Sequence, residues 1–184
     1  MAIHGGAGDL RPEDLDPAQA AAYEAALKRV LEIVWPHLNG GGNALDMAVK
    51  AVKLLEDEPL FNAGKGSVFS SEETHEMDAC VMCGQTHQAG AVAGVQNLRN
   101  PVLVAREVLT EKNFVLLAGR GAEQYARERG HIFEEDAYFF SQERYDQLQR
   151  ARKSDVMALD HHKYGTVGAV VVDQSGHCAA ATST

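Results

Sequence analysis

The 184 residues are enough for one domain with a sizeable core, and 45% hydrophobic against 23% charged residues is the balance of an ordinary globular protein, not a disordered one. Seventeen Lys and Arg against 26 Asp and Glu leave a formal charge of −9 with no basic cluster, which argues against nucleic acid and anionic membranes as partners. No apolar run reaches membrane-spanning length, the start lacks a signal peptide, and three cysteines do not make a disulfide framework, so the expected compartment is the cytoplasm.

In chain order, "AIHGGAG" (2–8) reads as a strand running into a glycine turn. Asp16-Pro17 is a helix start, and Leu27, Val30, Leu31 and Val34 recur at helical spacing up to Trp35-Pro36. "NGGGN" breaks the chain, and Asn43 caps a second helix that buries Leu45, Val49, Val52 and Leu55. "PLFNAGKG" (59–66) is too rich in glycine for a helix and reads as a loop. Strands are expected around Val68-Phe69, Met77 to Met82 and Ala89 to Val95, with turns at Gly84 and near Asn97. Asn100-Pro101 opens a third helix through Leu109, "NFVLLAG" is another buried strand, and helices follow near 122–129 and 141–153. "GTVGAVVVD" and "HCAAATST", joined by "QSG", form a β-hairpin. The class is mixed α and β, without repeats or an interdomain linker.

The hairpin carries the candidate chemistry. Val167, Ala169 and Val171 alternate with Val170 and Val172, so both faces of the strand are apolar, as in a strand buried between layers. Thr166 stands at its start. A threonine hydroxyl is a poor nucleophile unless a base takes its proton, and one compact base is the residue's own α-amino group. That requires a cut between Gly165 and Thr166, after which the amine, with a pKa of roughly 7.7–8.0, is partly free base near neutral pH. The same hydroxyl can make the cut by attacking the Gly165 carbonyl, where glycine tolerates strained geometry. On these residues alone Gly-Thr-Val is a weak motif, and a structural threonine at a strand start is the simpler explanation.

Other groups read as structural. Cys80 and Cys83 are three apart in a strand and point to opposite faces, which fits two buried cysteines better than a zinc or redox pair, even with His75 and His87 nearby. "GRGAEQYARERG" lacks the dinucleotide spacing, and His161-His162 and Glu134-Glu135-Asp136 read as polar loop and solvated turn.

Four stretches in order, "IHGGAG", "LLEDEPLFNAGKGSVF", "GAVAGVQNLRNPVLVAR" and "GTVGAVVVD…AAATST", resemble the plant-type L-asparaginase and isoaspartyl peptidase family of amino-terminal nucleophile hydrolases over essentially the whole chain. The resemblance implies an α+β fold, the four-layer αββα sandwich, here incomplete at the C-terminus. It implies a single hydrolase domain, with residues 1–165 as the α-subunit part and 166–184 as the start of the β-subunit part. By position, Thr166 matches the nucleophile, Gly165 the last α-subunit residue, Thr184 the supporting threonine and Asn62 the asparagine beside the nucleophile. His4, Gly5 and Gly6 match the turn that positions the scissile bond. Main-chain carbonyls of Leu55, Glu56, Glu58, Phe61, Ala63 and Lys65 match those that hold a structural sodium ion, and no cofactor is implied for the chemistry.

The implied reaction is amide hydrolysis on asparagine or β-aspartyl dipeptides, in a homodimer of αβ units. Cys83 departs from the family's aspartate at that position, a tolerated change at a strand end. The family continues beyond the final "TST", where it supplies the substrate-gripping arginine and aspartate and the oxyanion threonine-glycine pair. The 184 residues alone are therefore expected to be inactive and prone to aggregate. Glycosylasparaginase, a protease of the same superfamily, and a non-enzymatic scaffold or binding remnant remain the alternatives.

Overall fold

A computed structural model describes residues 1–6, 16–153 and 165–184. His161-His162 and the Ala7-Gly8 end of the first glycine turn lie outside the described residues. Among the described residues six strands, β1 (Ala2–His4), β2 (Met77–Cys83), β3 (Ala89–Val95), β4 (Leu116–Ala118), β5 (Val167–Val172) and β6 (Cys178–Ser183), form one sheet ordered β1-β5-β6-β2-β3-β4. Every pairing is antiparallel except β3 with β4. Six α-helices accompany it among the described residues: α1 (Pro17–Asn39), α2 (Ala44–Glu56), α3 (Pro101–Val108), α4 (Gly119–Glu128), α5 (Asp136–Phe139) and α6 (Gln142–Lys153).

Helices α1 and α2 start where short polar side chains satisfy free backbone N–H groups. The Asp16 carboxylate accepts from the Ala18 N–H at 3.4 Å with Pro17 following, and the Asn43 side-chain oxygen accepts from the Asp46 N–H at 2.8 Å. At α3 the cap is remote: the Val102 N–H donates 2.9 Å to the Glu56 carboxyl at the end of α2. The buried stripe of α2, Ala48, Val49, Val52 and Leu55, packs with α3 on the sheet face made by Met77, Ala79, Val81, Val92, Val167, Ala169, Val171, Ala179 and Ala181. Helix α1 lies outside α2.

Several expectations change. Helix α1 does not stop at Trp35-Pro36. It runs to Asn39, burying Ala26, Val30, Val34 and Leu38, while Leu31 and Trp35 are exposed. The shift of the stripe follows from strict i, i+4 spacing, which selects Ala26 over Leu27. No strand forms at Val68-Phe69, because the Val68 N–H is taken by the Asn62 side chain at 3.0 Å and the next residues close a turn between Ser70 and Thr74. The expected buried strand in "NFVLLAG" is a three-residue edge strand with Val115 and Leu116 exposed. Residues 136–139 add a helical turn that the sequence did not announce.

The largest departure is at β5. Val167, Ala169 and Val171 are buried, but Val170 and Val172 are 54% and 53% exposed, so only one face of this sheet is covered. The cysteines also depart from expectation: Cys80 and Cys178 are exposed and Cys83 half-buried. Cys80 lies on the open face, and Cys83, at the strand end, packs only partly against the core.

Candidate functional site

Strand pairing assembles a row of functional groups at one end of the sheet. β1 pairs β5 with His4 across from Gly168, and β5 pairs β6 with Gly168 across from Thr182 and Val167 across from Ser183. Continued by one residue, the β5–β6 register sets Thr166 across from Thr184, while the β1–β5 ladder ends at His4 and Gly168. The row continues into β2, where the Thr184 N–H donates 2.9 Å to the Asp78 carbonyl and the Asp78 N–H returns 3.1 Å to the Thr184 carbonyl. Side chains alternate along a strand, so Thr166 shares a face with Gly168 and exposed Val170, and Thr184 shares that face with exposed Thr182. Both threonines are half-buried.

The glycines of the first turn fit this row closely. Gly6 has φ +129°, and a β-carbon there would lie 2.5 Å from the Gly165 carbonyl oxygen, so any side chain would collide with the bond before Thr166. A β-carbon on Gly168 would meet the His4 imidazole at 2.3 Å, which places His4 over the strand two residues beyond Thr166. Gly5 abuts the Phe61 ring in the same way, at 2.3 Å. The turn 4–6 is thus held between the start of β5 and the loop after α2.

That loop holds Asn62, buried at 6% exposure, whose side-chain oxygen binds the Val68 N–H. It is coiled tightly around its own carbonyls. Gly64, at φ +52°, would place a β-carbon 2.4 Å from the Glu56 carbonyl oxygen, and Gly66 would place one 2.0 Å from that of Phe61. The carbonyls of Glu58, Phe61 and Ala63 each accept one backbone N–H, from Phe61, Ala63 and Gly66 respectively, at 3.0 to 3.4 Å, and that of Leu55 accepts from Asp57 and Glu58. The carbonyls of Glu58, Phe61 and Ala63 each keep a second lone pair. Neutral hard oxygens in a cradle that admits only glycine fit a monovalent hard cation such as sodium. No group of three or more His, Cys, Asp or Glu among the described residues is arranged for a metal. The Lys65 side chain points elsewhere, its Nζ 5.1 Å from the Tyr138 ring centre.

Three contributors escape a reading of the sequence. Arg144 of α6, 4% exposed, donates its Nε–H to the Gly66 carbonyl at 3.1 Å and so braces the loop. Asp78 accepts the Gly94 N–H at 2.7 Å beside the irregularity in the β2–β3 register, tying the strand next to Thr184 to β3. Glu56 is fully buried, and burial pushes its carboxyl up to about 8 against the hydrogen bonds that oppose it, which favours the neutral acid. Its position four residues after Val52 and seven after Val49 is the available signal: a carboxylate on the buried stripe of a helix.

A family model described as asparaginase matches residues 1–184. The chain is 48% identical over 192 residues to the isoaspartyl peptidase of Escherichia coli (strain K12), covering 100% of this chain and 60% of that protein. It is 38% identical over 219 residues to a putative isoaspartyl peptidase/L-asparaginase of Dictyostelium discoideum, covering 100% of this chain and 63% of that one. A plant-type L-asparaginase of Pyrococcus furiosus is 47% identical over 128 residues, 70% of this chain and 40% of the relative. The chain thus spans about 60% of the length of relatives that it matches from end to end.

Proposed function

The chain belongs to the asparaginase family, and from that premise we propose that the whole protein is an amidohydrolase cleaving L-asparagine and β-aspartyl dipeptides with Thr166 as nucleophile. The observation that carries this reading is the packing of Gly6 against the Gly165 carbonyl, at the head of the row that leads through Thr166 to Thr184. In the activating step the Thr166 Oγ attacks the Gly165 carbonyl carbon. The C–N bond breaks as the nitrogen gains the hydroxyl proton, leaving an ester. Water hydrolyses the ester, which restores the hydroxyl beside a free α-amino group.

In turnover that amine takes the Oγ proton as the hydroxyl attacks the substrate's β-carbonyl. Ammonia, or the amine of the second residue, leaves with a proton, and water releases aspartate from the β-aspartyl ester. Thr184 supports the nucleophile with its hydroxyl, Asn62 holds the adjoining loop, and His4, Gly5 and Gly6 shape the bond to be cut. The carbonyls of Leu55, Glu56, Glu58, Phe61, Ala63 and Lys65 would hold a sodium ion, which would stiffen that loop without taking part in the chemistry. Residues 1–165 form the α part and 166–184 the start of the β part. A second sheet covers the exposed face of β5 to complete an αββα sandwich, and two αβ units pair as a dimer. No helix among the described residues is long and apolar enough to cross a membrane.

The test is the intact mass of the full-length protein, with Thr166→Ala and Gly6→Ala beside it, followed by assay on asparagine and a β-aspartyl dipeptide. The expected result is two wild-type chains, the second beginning at Thr166, no cut in Thr166→Ala, and slowed cutting in Gly6→Ala. An uncut wild type with no amidase activity overturns the reading.

A further inference from the structure

Glu56 has no role in the steps above, yet it is among the largest fully buried side chains of the molecule. Its Oε1 accepts the Ser183 hydroxyl at 2.7 Å and the Val102 N–H at 2.9 Å, while Oε2 meets no donor at hydrogen-bond geometry among the described residues, with the Asn100 side chain near enough to favour the charged form. One carboxyl therefore joins three elements: the end of α2, the first turn of α3 and the last residue of β6. An apolar side chain would fill this site without the desolvation cost of a carboxyl, so its presence calls for a use of the hydrogen bonds.

Ser183 points to the helix side of the sheet and is 1% exposed, whereas its neighbour Thr184 points to the open side. Strand ends fray unless they are tied down. Two bonds tie the backbone of Thr184 sideways to Asp78, and the Ser183–Glu56 bond ties it from below. The same glutamate opens the loop of Asn62, with its carbonyl against Gly64.

We propose that the Glu56 side chain is a positioning residue: acting through Ser183, it fixes the height of Thr184 beside Thr166 and keys that strand end to the Asn62 loop. This rests on the catalytic reading of Thr166 and Thr184 given above. Displacements of about 1 Å in such an arrangement cost up to roughly a hundredfold in rate.

The experiment uses the full-length protein with Ser183→Ala, Glu56→Ala, the pair combined, and Glu56→Gln. Each is followed by self-cleavage rate, kcat and KM on a β-aspartyl dipeptide, and melting temperature. Ser183→Ala removes one hydroxyl from a packed site. It is expected to slow self-cleavage and lower kcat on the order of tenfold, with KM within about twofold and a folded, cooperative melt. The double variant is expected to be no slower than Glu56→Ala alone, because both changes break one contact. Glu56→Gln keeps the accepting oxygen and is expected to restore most of what Glu56→Ala loses.

Wild-type-like cleavage and kcat in Ser183→Ala overturn the positioning role and leave the function reading intact. A wild type that neither cuts nor hydrolyses removes the function reading and this inference with it. If Glu56→Ala does not fold, Ser183→Ala and Glu56→Gln decide the matter alone.

Discussion

His75 shows how a single buried ring sets a pH dependence. It is 7% exposed, with its ring centre 4.1 Å from that of Phe69 and 5.9 Å from that of Phe139. Burial disfavours the imidazolium and holds its pKa below the ordinary 6.5, against weaker effects that favour protonation, Asp136 among them. In the window between the lowered folded value and 6.5, the unfolded chain binds one more proton than the folded one at this site. Stability therefore rises with pH through that window, is fully present above 6.5, and is lost as pH falls below it. The prediction is that His75→Phe flattens this acid limb. Urea unfolding of wild type and variant at pH 5.5 and 7.5 measures it, and an unchanged difference between the two pH values would show that His75 carries no part of the dependence.

At the scale of elements, α1 poses a question because it contains Pro36 and does not end there. Proline lacks the N–H that would bond the Glu32 carbonyl, and its ring crowds that turn. The last turn persists because Leu38 is buried at 5% exposure and because the Gly40 and Gly42 N–H groups close onto the Pro36 and His37 carbonyls at 2.9 Å. Pro36→Ala is predicted to stabilise the chain by about 1–2 kcal/mol, the restored helical bond outweighing the added freedom of the unfolded chain. A raised urea midpoint at unchanged slope is the expected outcome, and a lowered one would mean that proline's rigidity matters more than the missing bond. The same helix marks the limit of what sequence reveals. Caps such as Asp16-Pro17 and Asn43 act within four residues, so α1 and α2 start where the pattern predicts, and β2, β3 and the β5–β6 hairpin follow from alternation and turn chemistry. Where α1 ends, why Val68-Phe69 forms no strand, and which cysteines are covered depend on partners far along the chain, as the Asn62–Val68 bond illustrates. At the candidate site, Thr166, Thr184, Asn62 and the glycine turn rest on family resemblance, whereas Glu56 is marked only by its place on the apolar stripe of α2, and Arg144 looks like an ordinary helical surface charge until the fold buries it.

At the scale of the whole molecule, the sheet is covered unequally. Helices α2 and α3 pack on one face, while the other carries Ala2, Val170, Ala180 and Met82 in one cross-strand row, with Val170 54% and Met82 47% exposed. Val172 and Cys178 form the next row outward, both exposed. A contiguous apolar patch of this kind, on a flat sheet face, is seldom left to solvent in a stable monomer. The net charge of −9 opposes association over long range, but salt screens it within about 10 Å at 0.1 M ionic strength while leaving contact between apolar faces intact. The 184-residue chain is therefore predicted to self-associate in a concentration-dependent way that moderate salt strengthens. Val170→Lys combined with Met82→Lys should reduce this, because a buried ammonium on the contact face would be desolvated without a partner. Neither position touches the helix-side core, so secondary structure by circular dichroism should be unchanged. Sedimentation velocity over a range of concentrations reads the result. A wild-type chain that sediments as a monomer throughout, with a cooperative melt, would show that the open face is stable on its own, and the row of Thr166 and Thr184 beside it would then need no second sheet to hold its shape.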